Sequence, residues 1–192
     1  SADQFRIAAV VYDPDRLNDS LAIHIWEVST PLASDQRTEV RRATHVLPAD
    51  SLGGRLPVEI AFKPDGQCLA QLNDDGTVCL RDCGSWAVEK TIDVRTLRSA
   101  PFRGADPHYR NLRFSGDGSV LAWEEYDAAY ESDVPSELHL CNTETWAVRV
   151  AHLPDKVSFS GISANGNWVV LSEAPSNRAF VLHSDRGENQ AL

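Results

Sequence analysis

The chain has 192 residues, of which 42% are hydrophobic and 24% charged, and its 18 lysines and arginines against 28 aspartates and glutamates give a net charge of −10. This apolar fraction is enough for a folded core, and the acidic balance argues against nucleic acid as the main ligand, because phosphate binding needs an excess of lysine and arginine. No run approaches the roughly 18 apolar residues of a membrane helix, so we expect no membrane contact. The chain begins at Ser1 and contains no methionine, which predicts a processed chain or a piece of a longer polypeptide.

Short runs of alternating apolar residues, bounded by glycine, aspartate, asparagine and proline, recur along the chain and predict strands with one buried face. In the first region such strands are expected around residues 6–11, 21–28 and 40–47. Residues 34–47 also fit a helix capped by Ser34. However, apolar residues alternate between Val40 and Val46 and the rest of the chain is β-like, which favours a strand there.

A turn motif then repeats along the chain. It reads Phe-Lys-Pro-Asp-Gly at 62–66, Phe-Ser-Gly-Asp-Gly at 114–118 and Ile-Ser-Ala-Asn-Gly at 162–166. An apolar run follows each copy, which predicts a strand, a turn with glycine at positive φ, and a second strand. A later segment also repeats, as Ser-Trp-Ala-Val at 85–88 and Thr-Trp-Ala-Val at 145–148. Each complete unit is therefore predicted to be a four-stranded antiparallel meander of about 40 to 50 residues, the size of a propeller blade.

These motifs resemble the WD-repeat β-propeller family. Residues 61–82 carry the family's Phe-x-Pro-Asp-Gly turn and an Asp-Gly-Thr turn, and Ile25-Trp26-Glu27 is a near match to its closing Trp-Asp. The resemblance implies an all-β fold, a β-propeller of four-stranded antiparallel blades with about two complete and two partial blades present. Strand counting predicts a partial first blade at 1–47, a second blade at 56–94, a third blade at 108–153, a partial fourth blade at 156–186 and a polar tail at 187–192.

Six turn residues are predicted to have structural roles in these repeats. They are Asp65, Gly66, Asp75, Gly76, Asp117 and Gly118. The resemblance implies that Asp75 accepts hydrogen bonds from a network of histidine, serine or threonine, and the closing tryptophan. Arg81 stands in the place of that tryptophan and no histidine precedes the blade, so we expect the network to be broken and Asp75 to be only a turn former.

The chemical motifs of enzymes are missing from the sequence. It has no G-x-S-x-G elbow, no Gly-rich phosphate loop and no H-E-x-x-H pair, so we predict a protein that is not an enzyme, without catalytic residues or a cofactor. The four cysteines form no C-x-x-C pair, so no metal site is predicted. His24, His139 and His183 fall in or beside third strands, where edge or core roles are expected. Cysteines inside strand-like runs favour a reducing compartment, the cytoplasm or nucleus.

The long connections mark the expected binding face. In a meander blade the loops after second and fourth strands emerge on one face, and here these are residues 13–20, 48–57, 95–109 and 127–137. Long loops on a rigid scaffold commonly bind partners, and arginine and aromatic residues anchor protein interfaces. The residues predicted to contact a partner are Arg98, Phe102, Arg103, His108, Tyr109, Tyr126, Tyr130 and Glu131. The alternative is a set of solvated loops whose opposite charges pair weakly between blades.

Together these patterns predict a non-catalytic protein–protein interaction scaffold that presents a loop-rich face to a protein or peptide. Fold analogy carries most of this prediction. The remainder of the same propeller, or of the parent polypeptide, is a second expected partner, because closed propellers usually have four to eight complete blades. Two alternatives stay open. The chain is the propeller of a larger enzyme, such as a prolyl-oligopeptidase-like hydrolase or a signalling ATPase, or of a periplasmic Tol-type protein, or it is a purely structural set of blades in a large assembly.

Overall fold

The structure, a computed structural model, describes residues 4–11, 22–29, 43–48, 52–97, 107–127, 136–173, 176, 178–184 and 189–191. The strands in these ranges are β1 (Gln4–Val11), β2 (Ala22–Ser29), β3 (His45–Pro48), β4 (Pro57–Phe62), β5 (Cys68–Asn73), β6 (Thr77–Asp82), β7 (Val88–Asp93), β8 (Pro107–Phe114), β9 (Val120–Asp127), β10 (Glu137–Asn142), β11 (Val148–His152), β12 (Val157–Ile162), β13 (Trp168–Glu173), β14 (Arg178–His183) and β15 (Asn189–Ala191). A 3-10 turn at Val94–Leu97 follows β7. None of the described helical segments is long and apolar enough to cross a membrane.

The strands form four antiparallel sheets, and in each sheet the strands lie side by side in chain order. Sheet 1 holds β1 to β3, sheet 2 holds β4 to β7, sheet 3 holds β8 to β11 and sheet 4 holds β12 to β15. Each sheet is therefore a meander built from local hairpins. The predicted all-β class and the four-stranded antiparallel units are confirmed.

Sheet 4 differs from the three strands and polar tail expected at the end of the chain. A fourth strand, β15, pairs with β14 through Phe180↔Ala191 and Leu182↔Asn189. Backbone hydrogen bonds form this ladder whatever the side chains are, and an unpaired edge of β14 would offer the groups for it. A three-residue polar strand carries no apolar alternation, which explains why the pattern did not predict it.

Three apolar clusters fill the spaces between neighbouring sheets. Ile25 and Leu69 belong to the cluster between sheets 1 and 2, Trp123 to the one between sheets 2 and 3, and Leu138 and Phe159 to the one between sheets 3 and 4. The middle strands β5, β6, β9 and β10 are mostly buried along their length, because a neighbouring sheet covers each of their faces. The outer strand β7 is mostly exposed.

Two tryptophans explain the repeated segments at 85–88 and 145–148. Trp86 and Trp146 have φ values of 60° and 62° in equivalent turns. The side chain of Asp82 accepts hydrogen bonds from the backbone of its turn, and Asn142 does the same in the next sheet. Either residue can cap this turn with its side-chain oxygen, so the drift from aspartate to asparagine preserves the local structure.

Polar contacts join the first strands of neighbouring sheets around a bulge in β8. Asn111 has a φ of 61°, and the pairing with β9 shifts register between Arg110 and Arg113. The bulge turns the backbone N–H of Leu112 toward β4, where it donates to Glu59 Oε2 at 2.6 Å. On the other side, Asn111 Nδ2 donates to the Phe159 carbonyl of β12 at 3.0 Å. The bulge therefore connects sheet 3 to both of its neighbours.

Candidate functional site

A cluster of aromatic and charged side chains lies where β8 begins and β9 ends. The register pairs His108 with Tyr126 and Arg110 with Glu124, and the two-residue spacing along each strand places these four residues on one face of sheet 3. The guanidinium carbon of Arg110 lies 4.1 Å from the centre of the Tyr126 ring, and the His108 ring lies 5.7 Å from it. We call His108, Arg110 and Tyr126 the arginine–aromatic cluster.

The buried carboxylate of Glu124 holds Arg110 in the arginine–aromatic cluster. Arg110 Nη2 donates to Glu124 Oε1 at 2.7 Å and to Ser158 Oγ of β12 at 2.9 Å. The bond to Glu124 raises the pKa of Arg110 above its usual value. Glu124 is fully buried, whereas the Arg110 side chain is 37% exposed. The guanidinium of Arg110 is therefore held in place while part of its side chain stays accessible to solvent.

The predicted partner-contacting residues lie in different surroundings. His108 is exposed and Tyr126 is half-buried. Tyr109 is only 6% exposed. Strand alternation turns it away from His108 and into the core between sheets 2 and 3, so it contributes packing instead of the exposed anchor expected from the sequence. The other predicted contacts, Arg98, Phe102, Arg103, Tyr130 and Glu131, lie outside the described residues.

The six predicted turn residues all lie in tight turns between strands. Gly66, Gly76 and Gly118 have φ values of 71°, 78° and 73°, which glycine adopts at little steric cost. A Cβ at Gly76 would lie only 2.8 Å from Cζ of Tyr109, whereas a Cβ at Gly66 would meet nothing within 4 Å. Gly76 is thus required both by its backbone angle and by the tyrosine of the next sheet.

Asp75 is more than a turn former, so the expectation of a broken network is wrong. Its Oδ1 accepts hydrogen bonds from the backbone and hydroxyl of Thr77 at 3.0 and 2.6 Å, and its Oδ2 accepts one from Arg55 Nε at 3.1 Å. Burial alone would raise the pKa of Asp75, but the bonds from Thr77 and Arg55 outweigh it and lower the pKa below its usual value. Arg55, which precedes the blade, donates to Asp75 in place of the histidine that the family resemblance implies and this chain lacks.

The network continues into the interior of sheet 2. Asn73 donates to Thr77 Oγ1 at 2.9 Å and accepts from Gln71 at 2.6 Å. Arg81, which is 3% exposed, donates to Gln71 Oε1 at 3.0 Å and to the Trp86 carbonyl at 3.1 Å. Burial lowers the pKa of Arg81. Long polar side chains thus satisfy the hydrogen bonds of this interior without a tryptophan at position 81.

A second group of titratable side chains is buried on the opposite face of sheet 3. Glu125 and Glu137 are directly paired across β9 and β10, and His139 lies two residues beyond Glu137. Glu125 Oε2 is 3.2 Å from His139 Nε2. We call Glu125, Glu137 and His139 the buried triad; one potential ligand atom from each residue lies within 4.8 Å of the other two. From the sequence, an edge or core role is expected for His139 and no metal site is predicted, because only the strand register brings the three residues together.

A cleft of about 750 Å³ lies between sheets 1 and 2, at the end that carries the short turns. Arg6 crosses it, with Nε 3.2 Å from Glu27 Oε1 and Nη1 donating to the Gly66 carbonyl at 2.9 Å. The cleft is lined by Arg6, Glu27, Phe62, Lys63, Pro64, Asp65, Gly66, Gln67, Asp82, Cys83 and Gly84. Burial raises the pKa of the Cys83 thiol, which keeps it protonated and a poor nucleophile. The sequence predicts binding only at the opposite, loop-bearing end of the sheets.

The sequence and the structure of the chain were compared with those of known proteins. No family model matches the chain, and no curated protein sequence matches it significantly. Among solved structures, KlAtg21 in its complex with the coiled coil of AgAtg16 is 13% identical with a TM-score of 0.56, covering 97% of this chain and 52% of that one. The β-propeller domain of Myceliophteria thermophila Cps50 (Swd1) is 14% identical with a TM-score of 0.57, covering 96% of this chain and 54% of that one.

The described chain spans about half the length of these solved structures. At such low identity the likeness concerns the fold alone. The four antiparallel meanders, the packing of each sheet against the next and the repeated glycine turns agree with it. The fold of this chain is that of a β-propeller, and its four sheets correspond to successive blades of that fold.

Proposed function

We propose that this chain is a non-catalytic protein-interaction scaffold that presents the loop-bearing end of sheet 3 to a protein or peptide partner. The observation that carries the proposal is the arginine–aromatic cluster of His108, Arg110 and Tyr126, which is partly exposed and held by the buried Glu124. Arginine and tyrosine are the residue types that most often dominate binding energy at protein interfaces.

Pre-organisation supports this function for the cluster. Arg110 is fixed by Glu124, Ser158 and the Tyr126 ring before any partner arrives. A side chain that is already ordered loses little conformational freedom on binding, and this loss typically costs about 0.5 to 1.5 kcal/mol for each long side chain. Binding at this surface therefore costs less conformational entropy than binding at a flexible loop.

The thiols support a scaffold more than a cysteine-based enzyme. Burial raises the pKa of both Cys68 and Cys141 to about 11, so at neutral pH both are protonated and unreactive. All four cysteines are free, which supports a reducing compartment, and we propose the cytoplasm or nucleus as the location of the protein.

The partner that we propose is a protein or peptide with basic residues. The chain carries a net charge of −10, so long-range attraction favours a positively charged surface. One of the similar solved structures is a complex with a coiled coil, and a helical partner with exposed lysines and arginines would fit this charge. The rest of a longer propeller is the other proposed partner.

Affinity capture with the immobilised chain tests the proposal. The double variant His108→Ala/Tyr126→Ala removes the two rings of the cluster. We expect it to capture at least about tenfold less of a specific partner, with little change in melting temperature. The matched control is Trp168→Ala/His183→Ala, which removes another histidine–aromatic pair, 4.6 Å between ring centres, at the turn end of sheet 4. Equal capture by both variants would contradict the proposed surface.

The predicted loop residues need a separate capture experiment. Alanine at Phe102, Arg103 and Tyr130 is expected to abolish retention of the same partner without changing the melting temperature. Unchanged capture would exclude these loops from the interface and leave the cluster on β8 and β9 as the only tested contact.

A further inference from the structure

We propose that the buried triad of Glu125, Glu137 and His139 is a binding site for a divalent transition-metal ion, with zinc as the ion that this donor set fits best. One imidazole and two carboxylates are ligands that zinc accepts in proteins. This inference is independent of the proposed scaffold function, because the triad lies on the opposite face of sheet 3 from the arginine–aromatic cluster.

The strand register brings the three donors together. Glu137 on β10 lies directly opposite Glu125 on β9, and His139 pairs with Trp123 one step further along the same face. His139 Nε2 is 3.2 Å from Glu125 Oε2 and 3.9 Å from Glu137 Oε2. Ligand atoms around a tetrahedral zinc ion are about 3.3 Å apart, as its bond lengths require. Small side-chain rotations would therefore place all three donors around one ion.

The charge of the triad calls for a cation. Glu125 is 0% exposed and Glu137 is 7% exposed, so both carboxylates are removed from solvent within one cross-strand pair. Like charges in such a position destabilise a sheet, and buried charges in proteins are paired or coordinate metals. A divalent ion bound between the two strands would contact both carboxylates of this pair.

A free acceptor atom points to a ligand at this site. Glu137 Oε2 accepts no hydrogen bond from any described residue, although the side chain is only 9% exposed. A buried carboxylate oxygen without a partner is costly, because its lost hydration is not replaced. A metal ion between Glu137 and His139 would supply the missing interaction.

Neighbouring side chains orient the donors as outer-shell residues do in metal sites. The His139 ring stacks on Trp123 with ring centres 5.2 Å apart and an interplanar angle of 2°. His152 Nδ1 lies 3.3 Å from Glu137 Oε1, and the His152 side chain is 61% exposed. Outer-shell contacts of this kind set the direction of a ligand. The exposed His152 also marks the side from which an ion would enter.

Titration calorimetry of the chelator-treated 192-residue chain with ZnCl₂ tests the site. We expect one zinc ion per chain, and a rise in melting temperature of about 5 to 10 °C when zinc is present at about 100 times its Kd. Replacing zinc by Co²⁺ should give visible d–d absorption without the charge-transfer band of a thiolate, since the ligands are nitrogen and oxygen.

Variants assign the ligands. Glu137→Gln and His139→Gln should weaken zinc binding by about 100-fold or more, and His152→Ala by about 10-fold. The controls are Glu144→Gln and His45→Gln, which change an exposed glutamate and an exposed histidine and should leave zinc affinity unchanged. Circular dichroism reports whether each variant is folded. If the two ligand variants do not fold, the exposed His152 variant still provides the comparison.

Three results would overturn the proposal. The first is no stoichiometric zinc binding by the folded wild-type chain. The second is wild-type affinity in folded Glu137→Gln or His139→Gln, or in His152→Ala when those two do not fold. The third is a thiolate band with Co²⁺, which would place the ion on the cysteines. Because the scaffold proposal is tested by His108 and Tyr126 variants, failure of either proposal leaves the other interpretable.

Discussion

Replacing Glu124 by alanine should lower the free energy of unfolding of the chain by about 3 to 5 kcal/mol, from buried hydrogen-bond groups left without an acceptor and from a cavity. Glu124 is fully buried and accepts three hydrogen bonds, from Arg110 at 2.7 Å, from Asn111 at 3.2 Å and from the backbone N–H of Phe159 at 3.1 Å. Alanine removes all three acceptors. It leaves the buried Phe159 N–H without a partner and opens a cavity between the two sheets.

The isosteric Glu124→Gln separates the charge from the hydrogen bonds. The glutamine oxygen can still accept from Asn111 and Phe159, but its amide then faces Arg110, donor against donor. A hydrogen bond to a charged group contributes about 1.5 to 3 kcal/mol. Since the Arg110 side chain is 37% exposed and water can replace part of this bond, we expect the lower end, about 1.5 kcal/mol.

Urea denaturation of the wild-type chain and both variants measures these differences, and hydrogen exchange at the Phe159 amide locates them. The Phe159 amide should exchange faster in Glu124→Ala and nearly as slowly as wild type in Glu124→Gln. The exposed Glu144→Gln serves as the control and should change stability by less than about 0.5 kcal/mol. Equal destabilisation by alanine and glutamine would contradict this prediction. The hydrogen bond from the Phe159 N–H, which glutamine keeps and alanine loses, would then contribute nothing to stability.

Three further outcomes follow from the turns and thiols. Gly76→Ala should destabilise the chain by about 2 to 4 kcal/mol, because the positive φ and the close contact with Tyr109 both oppose a Cβ. Gly66→Ala should destabilise it by only about 1 to 2 kcal/mol, because only the positive φ opposes a Cβ there. Thermal melting of the two variants measures the difference. Hydrogen bonds from the Ser119 backbone and from serine hydroxyls lower the pKa of Asp117 from 3.8 to about 2, so its stabilising effect should be complete above about pH 4 and disappear as the pH falls through 2. A carbon-detected NMR titration of that carboxyl should show this midpoint, and a midpoint near 3.8 would contradict it. Cys141, whose pKa burial raises to about 11, should react slowly with iodoacetamide at pH 8 in the folded chain and quickly in urea, as mass spectrometry can follow.

The repeat pattern predicted the sheets well because their local signals are strong. Each glycine turn joins two strands that pair directly, so alternation and turn chemistry together determine a meander. The short strand β15 escaped prediction because backbone pairing alone forms it. The boundary of β3 at His45 likewise depends on its pairing with β2.

The sites were less predictable, because they depend on register and on contacts between sheets. Alternation alone shows that Tyr109 and His108 point in opposite directions, but not which direction is the core. Arg55 reaches Asp75 from a segment 20 residues away, a contact that no local motif encodes. The buried triad combines Glu125 with a Glu-x-His segment on the next strand, and only the alignment of β9 with β10 reveals it.

The bulge at Asn111 and Leu112 has a mechanical consequence for any surface shared by adjacent sheets. Apolar side chains tolerate sliding of one sheet past another, since dispersion contacts have little directional preference. The hydrogen bonds from Leu112 to Glu59 and from Asn111 to Phe159 are directional, and they form at only one position of β8 along β4 and β12. They therefore fix how far the first strands of sheets 2, 3 and 4 can slide past one another, which apolar packing alone would not do.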